Sequence, residues 1–153
     1  MIDDLEELYR AQRPQFCRAA AAIAGDRTAG EDAVQDAFAK ALRKRRSYRR
    51  RGPLEAWVWR IVVNTARDAR RKRGLLLGLR DRPEAPSPNG AGVSLPLELL
   101  TERQRDVLFL HYYADLDYAT IAEALGITPG TVGATLSTAR RVLRQALAPE
   151  VRS

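Results

Sequence analysis

Residues 53–73 read PLEAWVWRIVVNTARDARRKR, and the reading of this stretch decides how the rest of the chain is understood. Its proline suits the first position of a helix, and two tryptophans with an aliphatic run give way to a basic end. As one helix it would be about 30 Å long, at 1.5 Å per residue. Leu54, Trp57, Val58, Ile61, Thr65 and Ala69 fall at i, i+3, i+4 spacing and are expected to face a core. Arg60, Asn64, Arg67 and Arg71 fall on a second stripe. Guanidiniums hold phosphates and an amide can read a base edge, so this stripe suits a nucleic acid as well as it suits a solvated basic face.

The surrounding charge favours the nucleic acid. The net charge of +7 is not spread evenly. Residues 1–39 carry 4 basic and 8 acidic groups, residues 40–82 carry 16 and 3, and residues 83–153 carry 6 and 8. The whole excess sits in the middle, and a focused basic patch implies a polyanionic partner. The 153 residues suffice for one ordinary domain or two small ones, and the alanine and arginine content favours helix. Cys17 is the only cysteine, which excludes an internal disulfide and a cysteine-based metal site. It lies in FCRAAAAIA, where a small buried residue is expected. The only histidine, His111, follows the apolar run VLFL and reads as a packing or hydrogen-bonding residue. An acidic N-terminus without an apolar signal core, and no run near the roughly 20 residues that span a bilayer, lead to the expectation of a cytoplasmic protein.

Upstream of the central stretch, residues 3–24 read as a helix with Leu5, Leu8, Tyr9, Phe16, Ala20 and Ile23 as its apolar stripe. Pro14 should kink it, and Gly25 should end it. Thr28 and Glu31 match a capping box for a second helix over 29–46, with Val34, Ala37, Phe38, Ala41 and Leu42 buried. Asp32, Gln35 and Asp36 cluster on its opposite side, as a solvated face or a docking surface. RKRRSYRRR (43–51) holds seven cations in nine residues and reads as a poorly ordered helix end, with Tyr48 placed to stack on an unpaired base.

Downstream, residues 74–96 hold four prolines and four glycines with no periodicity, which marks a flexible linker. Fully extended it would reach roughly 75 Å, about two turns of DNA. Leu75, Leu76, Leu77 and Leu79 are candidates to fold back on the preceding domain. Thr101 and Gln104 form another capping box, for a helix over 102–112. Asp117 caps a short helix stopped by Gly126, and Thr128 with Pro129 opens a last one running to about Leu147. Its buried positions are Val132, Leu136, Ala139 and Leu143. A helix, a glycine turn and a second helix opening Thr-Pro-Gly-Thr is the helix-turn-helix pattern of DNA-binding proteins.

Taken together, these motifs resemble the extracytoplasmic-function (ECF) group of bacterial sigma-70-family sigma factors over nearly the whole chain. GEDAVQDAFAKAL (30–42) resembles region 2.2, WVWRIVVNTARDARRKR (57–73) regions 2.3 and 2.4, and residues 99–147 region 4. The resemblance implies an all-α chain of two small helical domains joined by a flexible linker. These are a region 2-like bundle over 1–73, a linker over 74–97 and a region 4-like helix-turn-helix over 98–148. It implies that Asp32, Gln35 and Asp36 dock on the β′ clamp helices of core RNA polymerase. Arg51, Leu54, Arg60 and Asn64 would capture and read a base of the −10 element, and Arg67, Arg70 and Arg71 would hold nearby phosphates. Thr128, Gly130, Thr131, Gly133, Ala134, Ser137, Arg140 and Arg141 would face the −35 major groove, while region 4 docks on the β flap. An anti-sigma factor is a further partner the resemblance implies; no cofactor or metal is.

Two departures stand out. The family usually reads G-T-V-K-S-R-L where this chain has GTVGATL (130–136), so both habitual cations are missing. Gly133 also weakens the helix by about 1 kcal/mol relative to alanine. Either backbone amides and hydroxyls at the helix N-terminus make the −35 contacts, or promoter choice rests mostly on the −10 end. Leu54 stands where the family often has an aromatic. The main rival is a LuxR-type helix-turn-helix regulator, but a receiver domain would alternate strands and helices, and residues 1–73 show no strand pattern. An RNA-binding or polymerase-binding protein that never initiates transcription is a second rival. With no phosphate loop, metal-ligand cluster or nucleophile–base pair, an enzyme is not expected.

Overall fold

The computed structural model describes residues 1–49, 52–77 and 96–147. Among them are six α-helices, two 3₁₀ turns and no strand. The helices are α1 (Ile2–Ala24), α2 (Arg27–Arg43), α3 (Leu54–Leu77), α4 (Glu102–Tyr112), α5 (Tyr118–Leu125) and α6 (Pro129–Leu147). Helices α1–α3 form one bundle and α4–α6 a second. The second leans on the first through α3 against α5 and α1 against α4.

The local signals act as their chemistry demands. Asp3 and Asp4 place negative charge in the first turn of α1, where the helix dipole favours it. Regular geometry breaks at Gln12 (φ −122°, ψ 15°), just before Pro14, which cannot donate to the ladder. Gly25 closes the helix at φ 85°, a left-handed conformation open to glycine at little cost. The cap of α2 is not the expected one. The Asp26 carboxylate accepts from Ala29 N at 2.9 Å, so the helix starts at Arg27 and the Thr28–Glu31 box is not used. An acceptor two residues earlier does the same job and gains the chain another half-turn of helix. Gly30 then lets α2 cross close to α1. A Cβ there would lie 2.9 Å from the Ala20 carbonyl carbon and closer still to Ala21 N and Cα.

The first core is aromatic and alanine-rich. Trp59 is fully buried, its ring 4.3 Å from that of Phe16. Phe16 meets Phe38 edge-on at 5.2 Å, and Phe38 meets Tyr9 at 4.9 Å, so one cluster ties three helices. The buried stripe of α3 runs through Ala56, Trp59, Val62, Val63 and Ala66, with Val58 and Thr65 at its flanks. Of the expected core positions, Leu54, Trp57, Ile61 and Ala69 are only half-buried. The helix is covered on two sides, so its apolar arc is wider than one stripe and centred elsewhere. Trp57 instead lies tilted beside Tyr48, ring centroids 5.3 Å apart, and the Tyr48 hydroxyl donates to the Gly52 carbonyl. That ring is engaged within the fold rather than free.

Helix α2 stops at Arg43, earlier than expected, and the basic run continues as a 3₁₀ turn over Arg45–Ser47. Helix α3 continues past Arg73 through Gly74 to Leu77. Leu75 and Leu76 project into solvent at 84% and 83% exposure and do not fold back on the bundle. Leu79 and most of the linker lie outside the described residues.

In the second bundle, Thr101 and Gln104 form the expected reciprocal box. The Asp117 carboxylate accepts from Thr120 N at 2.8 Å, and the Thr120 hydroxyl together with that N–H holds its pKa below the usual carboxylate value. Gly126 stops α5 at φ 71°. Thr128 Oγ1 accepts from Thr131 N at 3.1 Å at the start of α6. Val107, Leu110, Ile121, Val132 and Leu136 make the core of this unit.

Candidate nucleic-acid interface

Helix α3 carries the residues expected to touch DNA, and one face of the second bundle lies over part of it. Asn64 is exposed. Arg60, also exposed, donates through Nη2 to the Glu123 carbonyl of α5 at 2.7 Å. The Glu123 carboxylate lies over Gly52, where a Cβ would be 2.7 Å from Oε2. Further along, Arg67 Nε donates to Asp106 Oδ2 at 2.7 Å and Nη2 donates to the same oxygen. Glu102 Oε1 lies 3.7 Å from Arg67 Nε and 3.9 Å from Arg71 Nη2. Arg70 is half-buried, and burial together with the nearby Arg105 cation pulls its pKa down. Leu54 is half-buried at the start of the helix. Arg51 lies outside the described residues.

Asp106 is the least expected member of this seam. Its side chain is 2% exposed, so burial raises its pKa above the usual carboxylate value while the Arg67 guanidinium opposes that rise. In the sequence it is one more charge in TERQRD. Its partner comes from 39 positions away, beyond the reach of any periodicity.

The docking candidates on α2 are brought together. Asp32, Gln35 and Asp36 are all exposed, opposite the buried Ala33, Val34, Ala37 and Phe38. Asp36 pairs with Lys40 at 3.3 Å, a local i, i+4 contact of small energy. Cys17 is half-buried, and burial pushes its thiol pKa up, away from the reactive thiolate.

On α6, Thr128, Gly130, Thr131, Ala134, Ser137, Arg140 and Arg141 are exposed. Gly130, Ala134, Ser137 and Arg141 share one stripe, smooth until its last residue. Two members of the expected set make contacts with other side chains of the protein. A Cβ on Gly133 would sit 3.3 Å from the Tyr118 ring, so a side chain there would require that ring to give by a few tenths of an ångström. Arg140 Nε donates to the Tyr112 hydroxyl at 2.8 Å and its guanidinium lies 5.6 Å from that ring. His111 packs edge-on between Tyr112 and Tyr118. No helix among the described residues is long and apolar enough to cross a membrane.

Comparison with known proteins matches this geometry at both ends. The sigma-70 region 2 family matches residues 8–75, and the sigma-70 region 4 family matches residues 97–143. The chain is 30% identical to the ECF RNA polymerase sigma factor SigE of Mycolicibacterium smegmatis over 158 residues. That match covers 94% of this chain and 61% of SigE, so the chain spans less than two thirds of that relative's length. It is 28% identical to the RNA polymerase sigma factor YlaC of Bacillus subtilis, covering 94% of this chain and 91% of YlaC. Among solved structures, the sigma factor RpoE of Bartonella quintana, in complex with the anti-sigma factor NepR, superposes with a TM-score of 0.71. It is 26% identical, over 95% of this chain and 98% of that one. CnrH, in complex with the cytosolic domain of CnrY, shares the fold at a TM-score of 0.73 and 24% identity, over 100% of this chain and 92% of that one.

Proposed function

This chain belongs to the ECF group of sigma-70-family RNA polymerase sigma factors, and on that premise we propose that it binds core RNA polymerase and directs initiation at promoters with −10 and −35 elements. Residues 1–73 serve as the unit for core and the −10 element, 74–97 as the linker, and 98–148 as the unit for the −35 element. Asp32, Gln35 and Asp36 dock on the β′ clamp helices, and the second unit docks on the β flap. An anti-sigma factor is a fitting partner, since the neighbouring RpoE and CnrH structures are each complexes of that kind. The family is not one of enzymes, and the chain acts in the cytoplasm, where its polymerase works. A LuxR-type regulator finds no support, because residues 8–75 match sigma-70 region 2.

The observation that carries this reading is the exposed amide of Asn64 set on one helical stripe with Arg60, Arg67 and Arg71. Arginines alone would serve any polyanion. An amide in register with them adds a group able to read a base edge, which supports the −10 reading that the family implies. In this reading Leu54 and Arg51 help to capture the base, and Arg70 supports the phosphate contacts. At the other end, the −35 helix meets DNA with Thr128, Gly130, Thr131, Ala134, Ser137 and Arg141. Gly133 lies against Tyr118, and Arg140, with its Nε on the Tyr112 hydroxyl, keeps its Nη donors for phosphate. A groove face with so little free charge leaves the −10 end the larger share of promoter choice.

Asn64→Ala tests the assignment. It should lower promoter opening about tenfold, since a bidentate amide–base contact is worth about 1–3 kcal/mol of discrimination. Binding to duplex promoter fragments by the same holoenzyme should change little. Permanganate footprinting of the opened strand measures the first, and a mobility shift on duplex DNA the second. Unimpaired opening would reject Asn64 as the base reader.

A further inference from the structure

We propose that Tyr48 is a positioning residue for −10 recognition. Its hydroxyl on the Gly52 carbonyl and its ring against Trp57 hold the chain entering α3 in register with Asn64. The inference rests on the −10 reading of α3 given above, and adds a residue outside that helix which sets the geometry before DNA arrives.

The charge of this stretch calls for a tether. Residues 43–54 carry seven cations and no carboxylate, so the run has no internal ion pair to hold it and its like charges repel. Two of its side chains hydrogen-bond backward, toward α2. Ser47 Oγ donates to the Lys44 carbonyl and Arg45 Nη1 to the Leu42 carbonyl, each at 2.6 Å. Among the described residues of the run, Tyr48 is the one whose side chain hydrogen-bonds forward, past positions 49–51. Its acceptor is well placed. Gly52 precedes Pro53, whose ring fixes φ, and the Trp57 N–H donates to the Pro53 carbonyl at 3.3 Å as α3 begins. A bond to Gly52 is therefore a bond to a stiff entry into the helix. The second contact lies one turn further in, where the Tyr48 and Trp57 ring centroids are 5.3 Å apart with planes tilted by 41°. Trp57, Ile61 and Asn64 follow one another at spacings of four and three, so the ring that Tyr48 touches shares a helix face with the amide assigned to the base.

A hydroxyl suits this task better than a carboxylate would. A carboxylate among these arginines would pair with them and weaken the field that draws a phosphate backbone. The tyrosine hydroxyl is neutral, so the tether uses none of the run's cations and does not loosen with salt. It also shifts when the ordering is done. The entry to α3 is set before the strand arrives, and binding does not bear that cost.

The test uses holoenzyme reconstituted with the full chain, and a fluorescent fork-junction DNA from a promoter that it opens, with the −10 non-template strand unpaired. Tyr48→Phe keeps the ring and removes the hydroxyl. Affinity for the fork, read by anisotropy, should fall about fivefold, the effect of one net neutral hydrogen bond. The factor should be the same at about 50 and about 200 mM salt, because no phosphate contact is removed. Preference for the native base over the other bases, at the position Asn64 reads, should narrow along with it. Co-elution with core and binding to a −35 duplex should stay as they were. Tyr48→Leu, which removes the ring as well, should narrow the preference further. The base preference decides the matter. A hydroxyl that serves only stability would lower affinity for every base in parallel, so a preference kept in Tyr48→Phe would overturn the proposal whatever the melting temperature does. Asn64→Ala, run alongside, separates this from the reading beneath it. Preference lost in Asn64→Ala but kept in Tyr48→Phe would remove the tether alone, while preference kept in both would remove the −10 assignment of Asn64 as well.

Discussion

Reversing Asp32 and Asp36 to arginine should abolish co-purification with core RNA polymerase and, with it, transcription that depends on this chain. Both side chains are exposed on α2, with Gln35 between them. The fold asks little of them. Asp36 makes one exposed i, i+4 pair with Lys40, the kind of contact worth about 0.3–0.5 kcal/mol. Asp32 lies past the first turn of α2, where the helix dipole has largely fallen off, and makes no ion pair among the described residues. The double reversal therefore costs the protein about 1 kcal/mol or less. At a docking surface the same change places like charges against a complementary partner, which costs several kcal/mol, and each 1.4 kcal/mol is tenfold in affinity. A loss of about a thousandfold follows, enough to remove the complex from a size-exclusion column. Co-elution with core at unchanged stoichiometry would show that the polymerase docks elsewhere.

The second large effect concerns stability and separates two tryptophans that lie two positions apart. Trp59→Ala should destabilise the chain by about 3–5 kcal/mol, the range for removing a fully buried aromatic. Its ring is shielded from solvent and packed against Phe16, at the centre of the cluster that ties α1, α2 and α3. At about 2–4 °C per kcal/mol for a chain of this size, the melting temperature should drop by roughly 10 °C. Trp57→Ala should cost far less, about 1 kcal/mol, because that ring is half-buried and meets Tyr48 at a tilt. Thermal and urea unfolding of the two variants side by side is the measurement. Equal losses, or a larger one at Trp57, would place the core on the stripe that helical spacing alone suggests.

That contrast shows where the sequence is legible and where it stops. Caps that depend on a residue and its neighbours three or four positions away are read correctly at Gly25, Thr101, Asp117, Gly126 and Thr128. The exception is informative. Asp26 and Thr28 both can cap, and spacing cannot rank two competent acceptors a half-turn apart. The stripe on α3 fails for a related reason. Nearly every position from Leu54 to Ala66 except Glu55, Arg60 and Asn64 is apolar, small or a threonine, so periodicity leaves the centre of the buried arc open. Packing by α1 and α2 on one side and α5 on another fixes it. The candidate DNA residues were legible as a pattern of types, whereas their occupation was not. Arg60 and Arg67 meet partners 63 and 39 positions away, and Arg140 meets Tyr112 across 28. Nothing in a local window specifies such pairs. Gly133 illustrates the same point: in sequence it is a missing cation, while in the fold it lies against Tyr118.

The central claim is that this chain gives core polymerase a promoter preference. Reconstitution of the purified chain with core RNA polymerase on genomic DNA, followed by sequencing of transcript 5′ ends, tests it most directly. The account predicts a set of start sites that appear only when the chain is added, sharing one −10 element and a more weakly specified −35 element upstream. Start sites identical with and without the chain would contradict it.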